Sequence, residues 1–143
     1  MVVGIYPMVA DVLHAGHVIA IEEAKSMCDK LIVALHCNPV YKKPVQSVYE
    51  RFMQLRAVKW VDEIIPYRDK DDIRQMLYSF PFDIYFLGSD YEGRDFENKD
   101  VLVQLNKKII YLNRNHRFSS TALKARIVGN TLEESDKSIS MEE

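Results

Sequence analysis

Residues 2–35 read VVGIYPMVADVLHAGHVIAIEEAKSMCDKLIVAL, which places two short apolar runs on either side of a helical pattern. The runs at 2–6 and 31–35 are almost continuously apolar and rich in β-branched residues, as is typical of strands buried on both faces of a parallel sheet. Between them, apolar residues recur at helical spacing from Val18 to Cys28, and charged residues occupy the opposite face. This stretch therefore predicts a strand, an amphipathic helix and a second, parallel strand.

Further apolar runs continue the same alternation. They lie at 64–65, 84–87 and 109–112. The total is roughly five strands, an ordinary width for a sheet. Alternating strands and helices of this length imply right-handed crossovers and a sheet covered on both sides. We therefore predict a Rossmann-like α/β fold with a parallel sheet and helices on both faces.

Helix starts are indicated between these runs. Ser47 with Glu50 three residues later forms a capping-box pattern, and Asp71 or Asp72 is expected to begin the following helix. Two further helices are predicted near 101–105 and over 122–128, the latter preceded by Ser119, Ser120 and Thr121.

The chain has 143 residues, which corresponds to one domain. We assign the domain to residues 1–128. Residues 129–143 lose the apolar periodicity and combine acidic residues with serines, so they are predicted to be an acidic tail without chemistry of its own.

Composition excludes several classes of function. Lys and Arg number 19 against 21 Asp and Glu, so the net charge is −2, which argues against a protein that coats nucleic acid. No uninterrupted apolar stretch reaches the length of about 18 residues that a membrane span needs, and the first residues lack a signal-peptide pattern. Cys28 and Cys37 have neither disulfide-framework nor zinc-site spacing, which predicts a reducing, cytoplasmic location.

The segment His14-Ala15-Gly16-His17 lies where the first strand ends and the first helix begins. Folds of this kind bind ligands beyond the carboxyl ends of their strands. A helix N-terminus presents free N–H groups and a positive dipole end, and two imidazoles add donors there, so a phosphate is the expected ligand. Gly16 lets the backbone approach that ligand closely.

A purely structural interpretation of the same segment is also available. His14 and His17 would then be polar residues near a helix end, with Asp11 as an N-cap or turn residue. A metal site through both histidines is disfavoured because no third ligand lies nearby in the sequence. We prefer the phosphate-binding interpretation, since two histidines flank a glycine at the strand-to-helix junction.

Four motifs together resemble the HxGH nucleotidyltransferase superfamily. They are HAGH at 14–17, VKWVDEIIP at 58–66, GSD at 88–90, and Arg114 followed by FSST at 118–121. Within that superfamily the chain is most similar to the glycerol-3-phosphate cytidylyltransferase type, over roughly residues 1–128. Four ordered motifs are more specific than any one alone.

This resemblance implies a reaction. CTP and a small phosphorylated alcohol, glycerol 3-phosphate in the first place, would give a CDP-alcohol and pyrophosphate by in-line attack of the acceptor phosphate on the α-phosphorus. No covalent enzyme intermediate is implied. Such chemistry needs positioning and charge neutralisation, with Mg²⁺ bridging phosphate oxygens. The resemblance also implies a homodimer, and it assigns no metal ligand.

The resemblance also implies roles for individual residues. Those expected to act on the phosphates in catalysis are His14, His17, Lys43 and Arg114. Those expected to bind the nucleotide or the acceptor are Val9, Ala10, Asp11, Gly16, Lys42, Arg51, Lys59, Asp62, Gly88, Asp90, Ser119, Ser120 and Thr121. Lys59 and Asp62 are expected near the cytosine and a subunit interface, and Asp90 near the acceptor alcohol or the ribose.

The chain departs from the family pattern at several positions. Met8-Val9-Ala10-Asp11 stands where the family has Gly-Thr-Phe-Asp, and His116 and Arg117 replace its Glu-Gly. Lys59 replaces an arginine and cannot reproduce bidentate contacts. The acceptor is therefore left open. Two alternatives remain: an adenylyltransferase of the same superfamily, and a nucleotide-binding module without catalysis.

Overall fold

The computed structural model describes residues 1–113 and 121–130. Five strands alternate with helices along the chain. The strands are β1 Val3–Met8, β2 Lys30–His36, β3 Glu63–Tyr67, β4 Ile84–Gly88 and β5 Lys108–Leu112. The α-helices are α1 Ala15–Ser26, α2 Val48–Arg56, α3 Lys70–Ser79, α4 Lys99–Gln104 and α5, residues 121–130, with a 3₁₀ turn at Ser89–Tyr91.

The strands form one parallel sheet in the order β3-β2-β1-β4-β5. The predicted fold class is thereby confirmed. Chain order reverses between β1 and β4, so a crevice is expected beyond the carboxyl ends of these two strands. In register, Met8 of β1 lies beside Leu35 of β2, so the segment after β1 and the end of β2 meet at the same edge.

Both faces of the sheet are covered. Val33 and Phe86 pack with α1 in one cluster, while Ile32 and Tyr85 pack with α3 and α4 in another, and Phe86 and Val33 are fully buried. Gly4 lies under the Phe86 ring, where an added Cβ would clash with that ring. None of the helices in the described part of the chain is long and apolar enough to cross a bilayer.

Three helix boundaries differ from the sequence prediction. The prediction that Asp71 or Asp72 begins α3 is wrong: Asp69 is the N-cap, and its Oδ1 accepts the N–H groups of both residues at 3.0 and 2.9 Å. Helix α4 begins at Lys99, two residues before the predicted position. Helix α5 continues to residue 130, past the predicted start of the tail, and residues 131–143 lie outside the described residues.

Candidate active site

His14 and His17 cap helix α1 reciprocally. His14 is the N-cap, and its Nδ1 accepts the Gly16 N–H at 3.0 Å, while His17 Nδ1 accepts the His14 N–H at 3.1 Å. The two rings lie 4.0 Å apart between centroids. The histidines therefore satisfy orphan N–H groups of the helix, which is the structural interpretation, and do so at the carboxyl edge of the sheet, where the functional interpretation needs them.

This capping arrangement fixes the tautomers. A ring nitrogen that accepts a hydrogen bond carries no proton, so in the neutral form of each ring the proton lies on Nε2. The assignment follows from the hydrogen-bond geometry. Each imidazole thus keeps one N–H donor on the nitrogen remote from the cap. Two such donors at a helix N-terminus are suited to an anionic oxygen.

The loop between β1 and α1 is strained. Ala10 has φ of 55° and Val12 has φ of 50°, both in the left-handed region. Residues with a Cβ rarely adopt this backbone conformation, and each residue held in it costs on the order of 1–3 kcal/mol of stability. Such strain persists only where surrounding contacts over-determine the backbone. Val9 and Ala10, predicted nucleotide-contacting positions, belong to this loop.

Asp11 ties the strained loop to two distant segments. Its carboxylate accepts the N–H groups of Val45 and Gln46, each at 3.0 Å, and the Nζ of Lys124 at 2.7 Å. Gln46 returns a contact, since its Oε1 accepts the Val12 N–H at 2.7 Å. Asp11 therefore joins the loop before α1, the segment before α2, and α5.

The charge state of Asp11 follows from these partners. Burial alone raises the pKa of this carboxyl, but the hydrogen bonds from Lys124, Val45 and Gln46 outweigh it and lower the pKa to about 2. The depressed pKa means that Asp11 contributes stability above its unfolded value of 3.8, and that this contribution is lost as the pH falls from there toward 2.

We expect the Asp11→Asn variant to be less stable by about 1–3 kcal/mol, because an amide nitrogen would face the Lys124 ammonium or a backbone N–H. The difference from wild type should shrink as the pH falls through 4 toward 2, where the wild-type carboxyl is protonated. Urea unfolding across that range measures it. Glu22→Gln, an exposed carboxylate of α1, is the matched control. Parallel stability curves for wild type and Asp11→Asn would refute this role.

Arg51 is predicted to contact the nucleotide, but the structure places its guanidinium inside the protein, against backbone carbonyls. The side chain is 1% exposed. Its Nη1 donates to the carbonyls of Val9 and His36 at 2.9 and 2.7 Å, its Nη2 to Cys37 at 2.8 Å, and its Nε to Gln46 at 3.2 Å. Four of five guanidinium N–H groups are thus used on backbone carbonyls. Arg51 therefore links the loop after β1, the end of β2 and the segment before α2. No carboxylate among the described residues pairs with it.

Two lysines were predicted in the loop after β2. Lys42 Nζ donates to Thr121 Oγ1 at 2.8 Å, so this loop meets the first residue of α5. Lys43 is exposed beside it. Together with the Asp11–Lys124 pair, the Lys42–Thr121 contact brings α5 to the same edge as the histidines.

Gly88 and Asp90 follow β4. Gly88 is buried and is the last residue of that strand, and Asp90 lies in the 3₁₀ turn directly after it. Both are therefore at the carboxyl edge, across the switch point from His14. Gly16, in the first turn of α1, is buried at the same edge.

Lys59 and Asp62 are not brought into this cluster within one copy of the chain. Asp62 lies at the amino edge of the sheet, where its Oδ2 accepts Lys25 Nζ at 2.6 Å and the Leu31 N–H at 2.7 Å. Lys59 Nζ stands 4.7 Å from the centre of the Trp60 ring. Arg114, Ser119 and Ser120, with His116 and Arg117, lie outside the described residues.

Two residues of the site were missed by the sequence analysis. Lys124 follows Thr121 by three residues, so both lie on one face of α5, and this spacing could have indicated it. Gln46 carries no such signal, because nothing in the sequence around it shows that its side chain reaches Val12.

The described residues contain no group of three or more His, Cys, Asp or Glu side chains able to hold a metal ion. Mg²⁺ bound to a nucleotide takes much of its coordination from phosphate oxygens and water. A divalent ion would therefore fit here as part of the nucleotide substrate, held by its phosphates.

The HAGH segment that begins α1 at the switch point of this sheet is the motif by which the chain resembles the HxGH nucleotidyltransferase superfamily. Residues 5–126 match the family described as Cytidylyltransferase-like, and the chain belongs to that family. On the basis of this match, the protein is a nucleotidyltransferase.

Curated relatives support the same assignment. The chain is 31% identical over 123 residues to the glycerol-3-phosphate cytidylyltransferase of Bacillus subtilis, covering 83% of this chain and 92% of the relative. It is also 31% identical to the enzyme of that name from Staphylococcus aureus, covering 83% and 89%. The bifunctional protein HldE of Chromohalobacter salexigens is 28% identical over 119 residues, but this chain spans only 25% of its length.

Among solved structures, the lipopolysaccharide core biosynthesis protein of Thermoplasma volcanium is similar, with a TM-score of 0.66 and 24% identity. The match covers 78% of this chain and 96% of that one. At this identity the likeness shows the fold alone.

Proposed function

We propose that this nucleotidyltransferase transfers CMP from CTP to a small phosphorylated alcohol, with glycerol 3-phosphate as the leading acceptor, and releases pyrophosphate. The observation that carries the proposal is the reciprocal cap of His14 and His17 at the carboxyl edge of β1. The cap uses both Nδ1 atoms as acceptors, so the proton of each neutral ring lies on Nε2, the nitrogen that would donate to a phosphate oxygen.

The mechanism that this geometry supports is electrostatic. The N-terminus of α1 and the two Nε2–H donors would stabilise the charge that develops on the α-phosphate and on the leaving pyrophosphate. Neither histidine needs to act as a base, because the attacking acceptor phosphate is already anionic. Mg²⁺ that enters with CTP would neutralise part of the triphosphate charge.

Further cationic side chains would complete the phosphate site. Lys42 is exposed, so it can exchange its Thr121 contact for a phosphate oxygen on binding CTP, and Lys43 lies beside it. We propose that Arg114, Ser119, Ser120 and Thr121 hold the β- and γ-phosphates.

The choice of CTP and of a glycerol-type acceptor rests on the two relatives at 31% identity, whose names state this activity. The free state of Cys28 and Cys37 agrees with the cytoplasmic location that we propose.

We also propose that the chain forms a homodimer through α2 and the segment before it. Large apolar side chains are exposed there; they are Val40, Tyr41, Val45, Tyr49 and Met53. Burying them against a second copy would remove an apolar patch from water. Lys59 and Asp62 would then lie near the interface, as their family role requires.

Light scattering should give a molar mass twice that of the chain. Tyr49→Glu should reduce the measured mass to that of one chain, whereas Val103→Glu, an exposed position on α4, should leave it unchanged.

Pyrophosphate release with Mg²⁺ tests the activity directly. CTP and ATP would each be paired with glycerol 3-phosphate, ethanolamine phosphate and several polyol phosphates. Turnover with CTP and glycerol 3-phosphate is the expected result. Turnover with ATP alone would establish the adenylyltransferase alternative, and CTP binding without any pyrophosphate release would establish the non-catalytic one.

A further inference from the structure

A polar atom that has no partner in the described part of the chain lies at the carboxyl end of β2. The Nδ1 of His36 is buried and makes no hydrogen bond with residues 1–113 or 121–130, which is uncommon for a buried nitrogen. The ring lies against Tyr67, its register partner on β3, with centroids 4.6 Å apart and planes at 46°. Burial lowers the pKa of His36, so its imidazole is neutral near pH 7 and offers one donor and one acceptor.

A further aromatic residue, Tyr85, lies on the same face of the sheet as Tyr67. We call His36, Tyr67 and Tyr85 together the wall. Tyr85 of β4 is 4% exposed and stacks on Phe96, and neither its hydroxyl nor that of Tyr67 makes a hydrogen bond within the described residues. Burial, with the Glu97 carboxylate nearby, raises the pKa of both tyrosines, so both phenols keep their protons. Three neutral hydrogen-bonding groups thus lie on one side of the sheet, and the described residues offer no partner to the His36 Nδ1 or to either phenol.

This wall adjoins the phosphate site. A single guanidinium nitrogen, Nη1 of Arg51, donates to both the Val9 and His36 carbonyls at 2.9 and 2.7 Å. Val9 begins the loop that leads to His14, so His36 stands beside that loop. The His36 end of the wall and the loop that leads to the histidine cap thus meet at the carboxyl edge of the sheet, where one substrate could contact both.

We propose that His36, Tyr67 and Tyr85 form the specificity wall for the acceptor and bind hydroxyl groups of its alcohol portion. This inference rests on the proposed function. The neutral imidazole and phenol groups match hydroxyls, which both donate and accept, and the ring faces match the C–H groups between them.

Deoxygenated acceptors test the wall. We expect wild type to prefer glycerol 3-phosphate over its analogues lacking one hydroxyl, and over ethanolamine phosphate, by about 10- to 100-fold in kcat/KM, the usual effect of one lost hydrogen bond in a buried site. Tyr67→Phe and His36→Phe keep the rings and remove the polar atoms, so each should lose most of that preference with an unchanged KM for CTP. Tyr78→Phe, whose hydroxyl contacts Gln104 at 2.9 Å, is the matched control.

The outcomes separate this inference from the proposed function. Wild-type activity with equal preferences in all variants would overturn the wall and leave the activity intact. If no pairing turns over, calorimetric binding of glycerol 3-phosphate in the presence of CTP decides. Binding that weakens in both wall variants but not in Tyr78→Phe would retain the wall while the activity fails, and absent or equal binding would overturn the wall as well.

Discussion

His17→Gln lowers kcat by about 10²- to 10³-fold while the protein remains folded, which is the usual effect of losing one donor from an electrostatic site. The variant is chosen because His17 is the third residue of α1, and glutamine there can still accept the His14 N–H in place of the ring Nδ1. The cap is kept, and the imidazole Nε2–H is removed. Loss of rate can then be assigned to the donor and not to fraying of the helix.

His14→Asn is the matched change on the other side of the cap. Asparagine is among the best N-cap residues, so its side-chain oxygen replaces Nδ1 as acceptor for the Gly16 N–H. We expect a similar loss in kcat with a stability change of less than about 1 kcal/mol. An alanine at the same position would also remove the cap. Part of its loss of activity would then come from destabilisation of α1 and not from the missing donor.

Pyrophosphate release and urea unfolding on the same preparations provide the two readouts. A variant that keeps more than about a tenth of wild-type kcat would contradict a role for that imidazole as a phosphate donor. Unfolding midpoints far below wild type would show that the substituted side chain does not restore the cap, and the rates would then be compared at lower temperature.

Local patterns predicted the parts of this molecule whose causes are local. The parallel sheet follows from short apolar runs, and the α2 cap follows from Ser47 and Glu50, which contact each other at 3.1 Å in both directions. The place of His14 at the start of α1, after the loop that follows β1, is indicated by the same patterns. Asp69 was overlooked because three aspartates within four residues offered equally good helix starts.

The contacts that shape the site are not local. Asp11 meets Val45, 34 residues away, and Lys124, 113 residues away, and no periodicity encodes such pairs. The strained loop was hidden because Ala10 and Val12, and not glycines, adopt positive φ. Conformations of this kind depend on the tertiary contacts that impose them, so they become visible only when the fold is known.

The resemblance implies a nucleotide contact for Arg51, whereas the structure shows this side chain buried against backbone carbonyls. Its replacement should therefore destabilise the protein strongly. Arg51→Met keeps much of the buried volume and removes four N–H donors from the carbonyls of Val9, His36, Cys37 and Gln46. We expect a loss of about 3 kcal/mol or more in the free energy of unfolding, since each buried acceptor left unpaired costs roughly 1–3 kcal/mol and relaxation recovers part. Arg51→Lys should lie between, because one ammonium cannot reach four carbonyls.

Arg56→Met, at an exposed position five residues further along α2, controls for the loss of charge and should change stability little. Direct contact with nucleotide makes the opposite prediction for Arg51→Met: wild-type stability with a sharply raised KM for CTP. A positioning role instead lowers stability and kcat together, because the carbonyl of Val9 is released and the loop that carries Asp11 toward His14 can leave its strained conformation. Urea unfolding combined with the split between kcat and KM therefore distinguishes a ligand of the nucleotide from the clamp that holds its binding loop in place.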